Sequence, residues 1–287
     1  MTDAAATIAA MGTTLGPDVL AACKALFDRE QRALADAVPA LAADCAYGPD
    51  ARHRLDLYGT PGAALKPVLL FVHGGGFVMG SKGGPADDWA NAAVGRMAAR
   101  AGLIGAVINY RLAPDHRFPA GAEDVGVALA WLRANVAEHG GDPDRIVVMG
   151  TSAGAVHIAG WLDLVAQGKA STEGARGAVL LSGLYGYTPL DPKDERYYQP
   201  GDLSQMPRAA VVASTLPLFI ACAEFDPPRF QAEFLGLMHE RLGRHGALPR
   251  GHIASGHNHY SMAMHLGTSD RRLETEILGF VADVTGE

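Results

Sequence analysis

From residue 67 onward the sequence alternates between short apolar runs and longer stretches of helical spacing, and this alternation leaves few folds open. "KPVLLFVHGGG", "LIGAVINYR", "DRIVVMG", "ARGAVLLSG" and "TLPLFIACAE" carry no polar face, the mark of strands buried on both sides. Between them, "WANAAVGRMAARAG", "DVGVALAWLRANVAEHGG", "GAVHIAGWLDLVAQ" and "FQAEFLGLMHERLGRHG" read as helices. "LPRGHIASG" predicts a short last strand ending near Ser255, and "SDRRLETEILGFVADV" a closing helix with Ser269 as its cap. The order predicts an α/β fold, a mostly parallel sheet with helices on both faces.

Upstream, "HRLDLYG" alternates and predicts an exposed or edge strand. Residues 17–45 have helical spacing, with Leu20, Ala21, Leu26, Phe27, Leu34 and Leu41 as the apolar stripe. The expected division is an N-terminal helical cap segment over 1–45 and one α/β domain over 46–287. Residues 185–215 are Pro- and Tyr-rich and too long for a plain connection, so they are expected to form a cap or binding loop.

Composition narrows the function classes. A net charge of −7, without clustered Lys or Arg, argues against nucleic-acid and anionic-membrane partners. No apolar run approaches the about 20 residues of a membrane span, and the N-terminus lacks the basic start of a secretory signal. Cys23, Cys45 and Cys222 are odd in number and widely spaced. They are expected to be free thiols in a reducing compartment, which predicts a cytoplasmic protein.

Chemistry enters at "MGTSAGA", a Gly-x-Ser-x-Gly pentapeptide placed between a buried strand and a helix. Such a turn needs small residues at Gly150 and Gly154, and it lifts the Ser152 hydroxyl clear of the sheet at a helix N-terminus. A serine nucleophile needs a base, and the base an orienting acid. Asp226 lies just past the strand "LPLFIACAE", on the sheet edge that carries Ser152, with Glu224 as the alternative acid. The loop after the last strand, "GHNHYS", offers His257 and His259 as the base.

Upstream, "HGGG" ends a buried strand, and its glycines expose backbone N–H groups. Acyl transfer needs such donors for its oxyanion, each worth about 3 kcal/mol. The expected oxyanion hole is the N–H groups of Gly75, Gly76 and Ala153. No P-loop or GxGxxG pattern is present, so a nucleotide cofactor is not expected. His257 and His259, with His265 as a third, also have a spacing compatible with metal ligands. With no Cys or carboxylate seen near them in sequence to complete a set, no metal and no other cofactor is expected.

Taken in order, "HGGGFVMGS", "NYRLAPDHRFPAGAEDV", "MGTSAGA", "AEFDP" and "HNHY" resemble the α/β-hydrolase superfamily. More narrowly, the chain is similar to its hormonesensitive-lipase-like and kynurenine-formamidase-like esterases, over about residues 50–287. The resemblance implies a triad of Ser152, Asp226 and His259, with His73 bracing the glycine loop and Tyr110 and Arg111 supporting the same loops. It also implies a cap from residues 1–45 and 185–215, and it allows a homodimer. The short insertion points to small acyl groups, with Phe77, Val78, Met79, Trp89, Tyr185 and Tyr187 expected to line the pocket.

The implied function is a cofactor-independent serine carboxylesterase acting on small, short-acyl esters. An arylformamidase using the same triad is the alternative, and a non-catalytic ligand receptor on the same fold is a third reading. Retention of all three triad residues weighs against the receptor.

Overall fold

A computed structural model describes residues 3–85, 88–200 and 202–286 of the protein. Among these residues one eight-stranded sheet organises the chain. In sequence its strands are β1 (Ala40–Ala46), β2 (Arg54–Tyr58), β3 (Lys66–Val72), β4 (Ile104–Ile108), β5 (Gly141–Thr151), β6 (Ala175–Leu181), β7 (Leu218–Phe225) and β8 (Arg250–Asn258). They lie side by side in the order β1-β2-β4-β3-β5-β6-β7-β8. From β4 to β8 every pairing is parallel, and β1 and β2 add an antiparallel edge.

The period of two along each strand splits the core into two layers. Val68, Leu70 and Val72 of β3 face one layer, with Val125, Leu129 and Leu132 of α4 (Ala120–Asn135) and Ile158, Trp161 and Leu162 of α5 (Ala153–Ala166). Leu69 and Phe71 face the other, with Val94 and Met97 of α3 (Ala92–Arg100) and Ile277, Phe280 and Val281 of α9 (Arg272–Thr285). Apolar faces on both sides are what made the central strands continuous apolar runs in sequence.

Four local expectations differ from this architecture. The N-terminal segment is helical only as α1 (Asp3–Met11) and α2 (Pro17–Ala37); β1 then begins at Ala40, so Leu41 belongs to a strand. The buried face of α2 is Cys23, Phe27, Gln31, Leu34 and Ala35; of the expected stripe Phe27 and Leu34 are buried, Leu20 and Leu26 are half-buried, and Ala21 is exposed. Because β1 covers the edge, "HRLDLYG" forms a second strand, almost wholly buried, instead of an exposed one. Ser269 does not cap the closing helix: its N–H and hydroxyl bond Glu30 of α2, and α9 starts at Arg272.

Beyond α5, the 185–215 region holds two 3-10 turns and α6 (Arg208–Ala213). It is anchored from below by α7 (Pro228–His245). Glu233 on that helix is fully buried, and its carboxylate accepts hydrogen bonds from the N–H groups of Tyr185, Gly186, Tyr187 and Thr188. A short helix α8 (Ser261–Met264) follows β8, and Gln31 of α2 donates to the carbonyls of Met264 and Leu266 beside it. Those two bonds dock the N-terminal helices against the carboxyl end of the sheet. Among the described residues no helix is long and apolar enough to cross a membrane.

Candidate active site

Strand β5 runs out of the core at Thr151, and the chain reverses into α5 within one residue. Ser152 occupies that corner with φ +52° and ψ −122°, a region side chains rarely adopt. Strain of this kind persists only where the surroundings enforce it. Here they do. A Cβ on Gly154 would stand 2.0 Å from the Val72 carbonyl oxygen, and one on Gly150 would stand 2.5 Å from the Gly154 carbonyl carbon. Only glycine lets β3, β5 and α5 meet this closely, and the Ser152 N–H is fixed by the Leu181 carbonyl at 2.8 Å.

The side chains of three separate loops then converge. Ser152 Oγ lies 2.9 Å from His259 Nε2, and His259 Nδ1 lies 2.7 Å from Asp226 Oδ1. A carboxylate can only accept, so Nδ1 carries the proton and the lone pair of Nε2 faces the hydroxyl. Asp226 is fully buried and its second oxygen is also satisfied, by Ser182 Oγ at 2.6 Å and the Ala223 N–H at 2.7 Å. Phe230 packs on the His259 ring with centroids 4.2 Å apart.

The alternative residues go elsewhere. Glu224 is exposed and accepts the Gly256 N–H at 2.7 Å, tying β7 to β8. His257 contacts Ser261 and Asp270 and stacks on His265, with centroids 3.7 Å apart. Burial pushes the His257 ring down to about 3. Asp270, thirteen residues along the chain, is the carboxylate the sequence reading did not find near these histidines.

The glycine loop faces Ser152 across the same cleft. Gly75 has φ +131°, and a Cβ there would stand 2.0 Å from the Met79 carbonyl oxygen, so the loop can fold back only as glycine. Its Gly75 carbonyl accepts the N–H groups of Val78 and Met79. Ala153 opens α5, so its N–H is one of the first-turn donors a helix cannot satisfy itself. His73 lies behind the loop, with Nδ1 2.6 Å from the Gly74 carbonyl and its ring stacked on Tyr110. Tyr110 donates its hydroxyl to the His73 carbonyl at 3.1 Å. Arg111 acts further off, pairing with Asp124 and Glu123.

The cleft has a volume of about 810 Å³, and Ser152, Gly75, Gly76, Ala153 and His259 all lie on its wall. Phe77, Val78 and Met79 line it as expected from the sequence. Trp89 does not: it is buried under the N-terminal helices and donates its indole N–H to Asp28. Tyr187 is also away from the cleft, its hydroxyl bonded to Glu240 at 2.9 Å and its ring under Arg208. Tyr185 is core. In each case an aromatic found a packing site, and the polar tips of Trp89 and Tyr187 found a partner, which residue type alone does not reveal. Leu15, Leu20 and Lys24 also line the cleft, and Ser182 and Phe230 lie beside Asp226 and His259, none of them expected from the sequence. Leu20 was visible as an apolar residue of α2, but the face it presents depends on how that helix docks.

A family description, the alpha/beta hydrolase fold, matches residues 69–260. The chain belongs to the α/β-hydrolase fold family. It is 43% identical over 110 residues to esterase LipC of Mycobacterium tuberculosis, a stretch covering 38% of this chain and 26% of that one. With carboxylesterase NlhH of the same species it shares 47% identity over 89 residues, covering 31% of this chain and 26% of the relative. These matches span about a quarter of the length of either curated relative. Among solved structures, a bacterial heroin esterase superposes with a TM-score of 0.70 at 24% identity, covering 99% of this chain and 98% of the other. Identity that low speaks to the fold alone.

Proposed function

We propose that this α/β-hydrolase is a serine carboxylesterase acting on small, short-acyl esters. The observation that carries the reading is the unbroken hydrogen-bonded chain from Ser152 through His259 to buried Asp226, on the wall of a cleft that also holds Gly75, Gly76 and Ala153. His259, oriented by Asp226, takes the Ser152 proton as the oxygen attacks the ester carbonyl. The tetrahedral oxyanion rests on the N–H groups of Gly75, Gly76 and Ala153. His259 then protonates the leaving alkoxide, and a water activated by the same ring frees the acid.

Esterase names among the relatives support the reaction class. The apolar side of the cleft, formed by Phe77, Val156, Leu184 and Phe230 and covered by Leu15 and Leu20, supports a compact acyl or alkyl group. Free Cys23, Cys45 and Cys222 support a reducing compartment.

The test is turnover of p-nitrophenyl esters of graded acyl length, with an N-formyl arylamine as the amide arm. The expected result is highest kcat/KM on the acetate or butyrate and a loss of about 10⁴-fold or more in Ser152→Ala. Undiminished acetate hydrolysis in Ser152→Ala overturns the mechanism. A higher kcat/KM on the formamide overturns the substrate class.

A further inference from the structure

The trio His257, His265 and Asp270 lies outside the proposed reaction. One ligand atom from each lies within 4.8 Å of the others, and both histidines are buried. Hydrogen bonding decides which atoms are free. His265 Nδ1 lies 2.9 Å from the Ser261 carbonyl, which can only accept, so Nδ1 carries the proton. The other nitrogen, Nε2, is then a bare lone pair, fully buried and without a partner among the described residues. A buried acceptor left unmet is unfavourable, so its presence calls for an explanation.

His257 lies against His265 with both nitrogens partnered. Its Nδ1 faces Ser261 Oγ at 3.1 Å, while Ser261 Oγ in turn lies 3.3 Å from the Asn258 carbonyl. His257 Nε2 lies 3.4 Å from Asp270 Oδ2, a separation long for a hydrogen bond. A carboxylate only accepts, so without an ion Nε2–H donates to it while Ser261 Oγ–H donates to Nδ1. Turning that hydroxyl to the Asn258 carbonyl lets Nδ1 take the proton and frees Nε2. The bare His265 lone pair, His257 Nε2 and the Asp270 carboxylate lie together, and a cation that displaces the Nε2 proton gives the orphaned acceptor a partner. Nδ1–H donated to a protein oxygen with Nε2 turned inward is also how ligating histidines are oriented. Asp270 is held in place by Arg272, whose Nε and Nη2 lie 2.9 and 2.6 Å from its two oxygens. A surface crevice lined by His252, His257, Arg272 and Glu276 reaches the trio at His257.

We propose that His257 Nε2, His265 Nε2 and Asp270 form a binding site for a divalent transition metal of the zinc type, with water as the remaining ligand. Two imidazoles and a carboxylate suit that ion's tetrahedral preference, and the stacked rings need only splay slightly for their lone pairs to converge. The site is separate from the Ser152 cleft, and its role is stabilising. Ser261 receives both histidines and also caps the turn through Asn258, so the ion clamps the segment that carries His259.

The test titrates ZnCl2 into EDTA-dialysed protein by calorimetry, follows the melting temperature, and repeats the titration with CoCl2 by visible absorption. One equivalent of Zn2+ should bind saturably and raise Tm, and Co2+ should give the absorption of a four-coordinate ion. Both His265→Gln and Asp270→Asn should weaken Zn2+ binding by at least about 10-fold. Should His265→Gln fail to fold, Asp270→Asn alone decides. Absence of stoichiometric binding to the wild type, or affinity unchanged in a folded variant, overturns the proposal.

Discussion

At the scale of single residues, the orienting acid is better supported than a three-residue triad describes. Asp226 Oδ2 accepts from Ser182 Oγ and from the Ala223 N–H, which leaves Oδ1 aimed at His259. A hydrogen bond to a charged group is worth about 1.5–3 kcal/mol, and the Ser182 bond acts on chemistry through Asp226 without touching substrate. Ser182→Ala should therefore lower kcat by roughly 10-fold or more with KM nearly unchanged, read from steady-state ester hydrolysis. A rise in KM at constant kcat would contradict this positioning role. His259→Ala, in contrast, removes the proposed base and should cost about 10⁴-fold in kcat. Legibility was uneven at this scale. The three side chains that meet, Ser152, Asp226 and His259, were candidates in sequence because the proposed chemistry demands particular residue types at strand ends. Ser182 could not, since a serine after an apolar strand carries no distinguishing pattern. Between His257 and His259 the spacing was silent, and the hydrogen bond to Ser152 separates them.

Elements place these residues, and one buried carboxylate fastens the most irregular of them. Glu233 takes a position on the buried face of α7 beside Phe230, Phe234 and Leu237, where a charge has no place unless it is satisfied. It is satisfied by four consecutive N–H groups and by Thr188 Oγ1, which pins the start of the 185–215 excursion. Glu233→Ala orphans those donors and should destabilise the protein by about 3 kcal/mol or more, measured by denaturant unfolding. Because Lys193, Asp194 and Arg196 of the same excursion reach the cleft, KM should rise as well. A variant with wild-type stability and KM would show that the excursion is held by other contacts. A charged residue in phase with the apolar stripe was the available signal for Glu233, but periodicity does not name its partner. The sheet strands were legible for the opposite reason, since burial on both faces imposes a continuous apolar run. β1 was not, because an edge strand with exposed positions lacks that run, and "ALAADCA" suits a helix equally well.

Across the whole molecule, two buried histidines link the catalytic corner to global stability. His73 is wholly enclosed, stacked on Tyr110 with Arg52 nearby, and burial pushes it down to about 4. His157 of α5 sits among Phe77, Tyr110 and Tyr197, with His73 as a further charge-sensitive neighbour, and burial pushes it down to about 3. Neither ring nitrogen of His157 has a hydrogen-bond partner among the described residues. An unfolded histidine titrates near 6.5, so between about pH 6.5 and 4 the unfolded chain binds protons that the folded one refuses. Stability is therefore full above that window and falls as pH drops through it, by about 3 kcal/mol for each ring. This is a large share of the about 5–15 kcal/mol that holds a domain folded. His157→Leu keeps nearly the same volume and removes both the proton site and two unpartnered nitrogens. Its stability at pH 7 should match or exceed that of the wild type, and its loss between pH 6.5 and 4 should shrink by about 3 kcal/mol, measured by urea unfolding across that range. An unchanged pH slope would mean that other groups, chiefly carboxylates, drive the acid sensitivity, and that the His157 ring is not kept neutral by its burial.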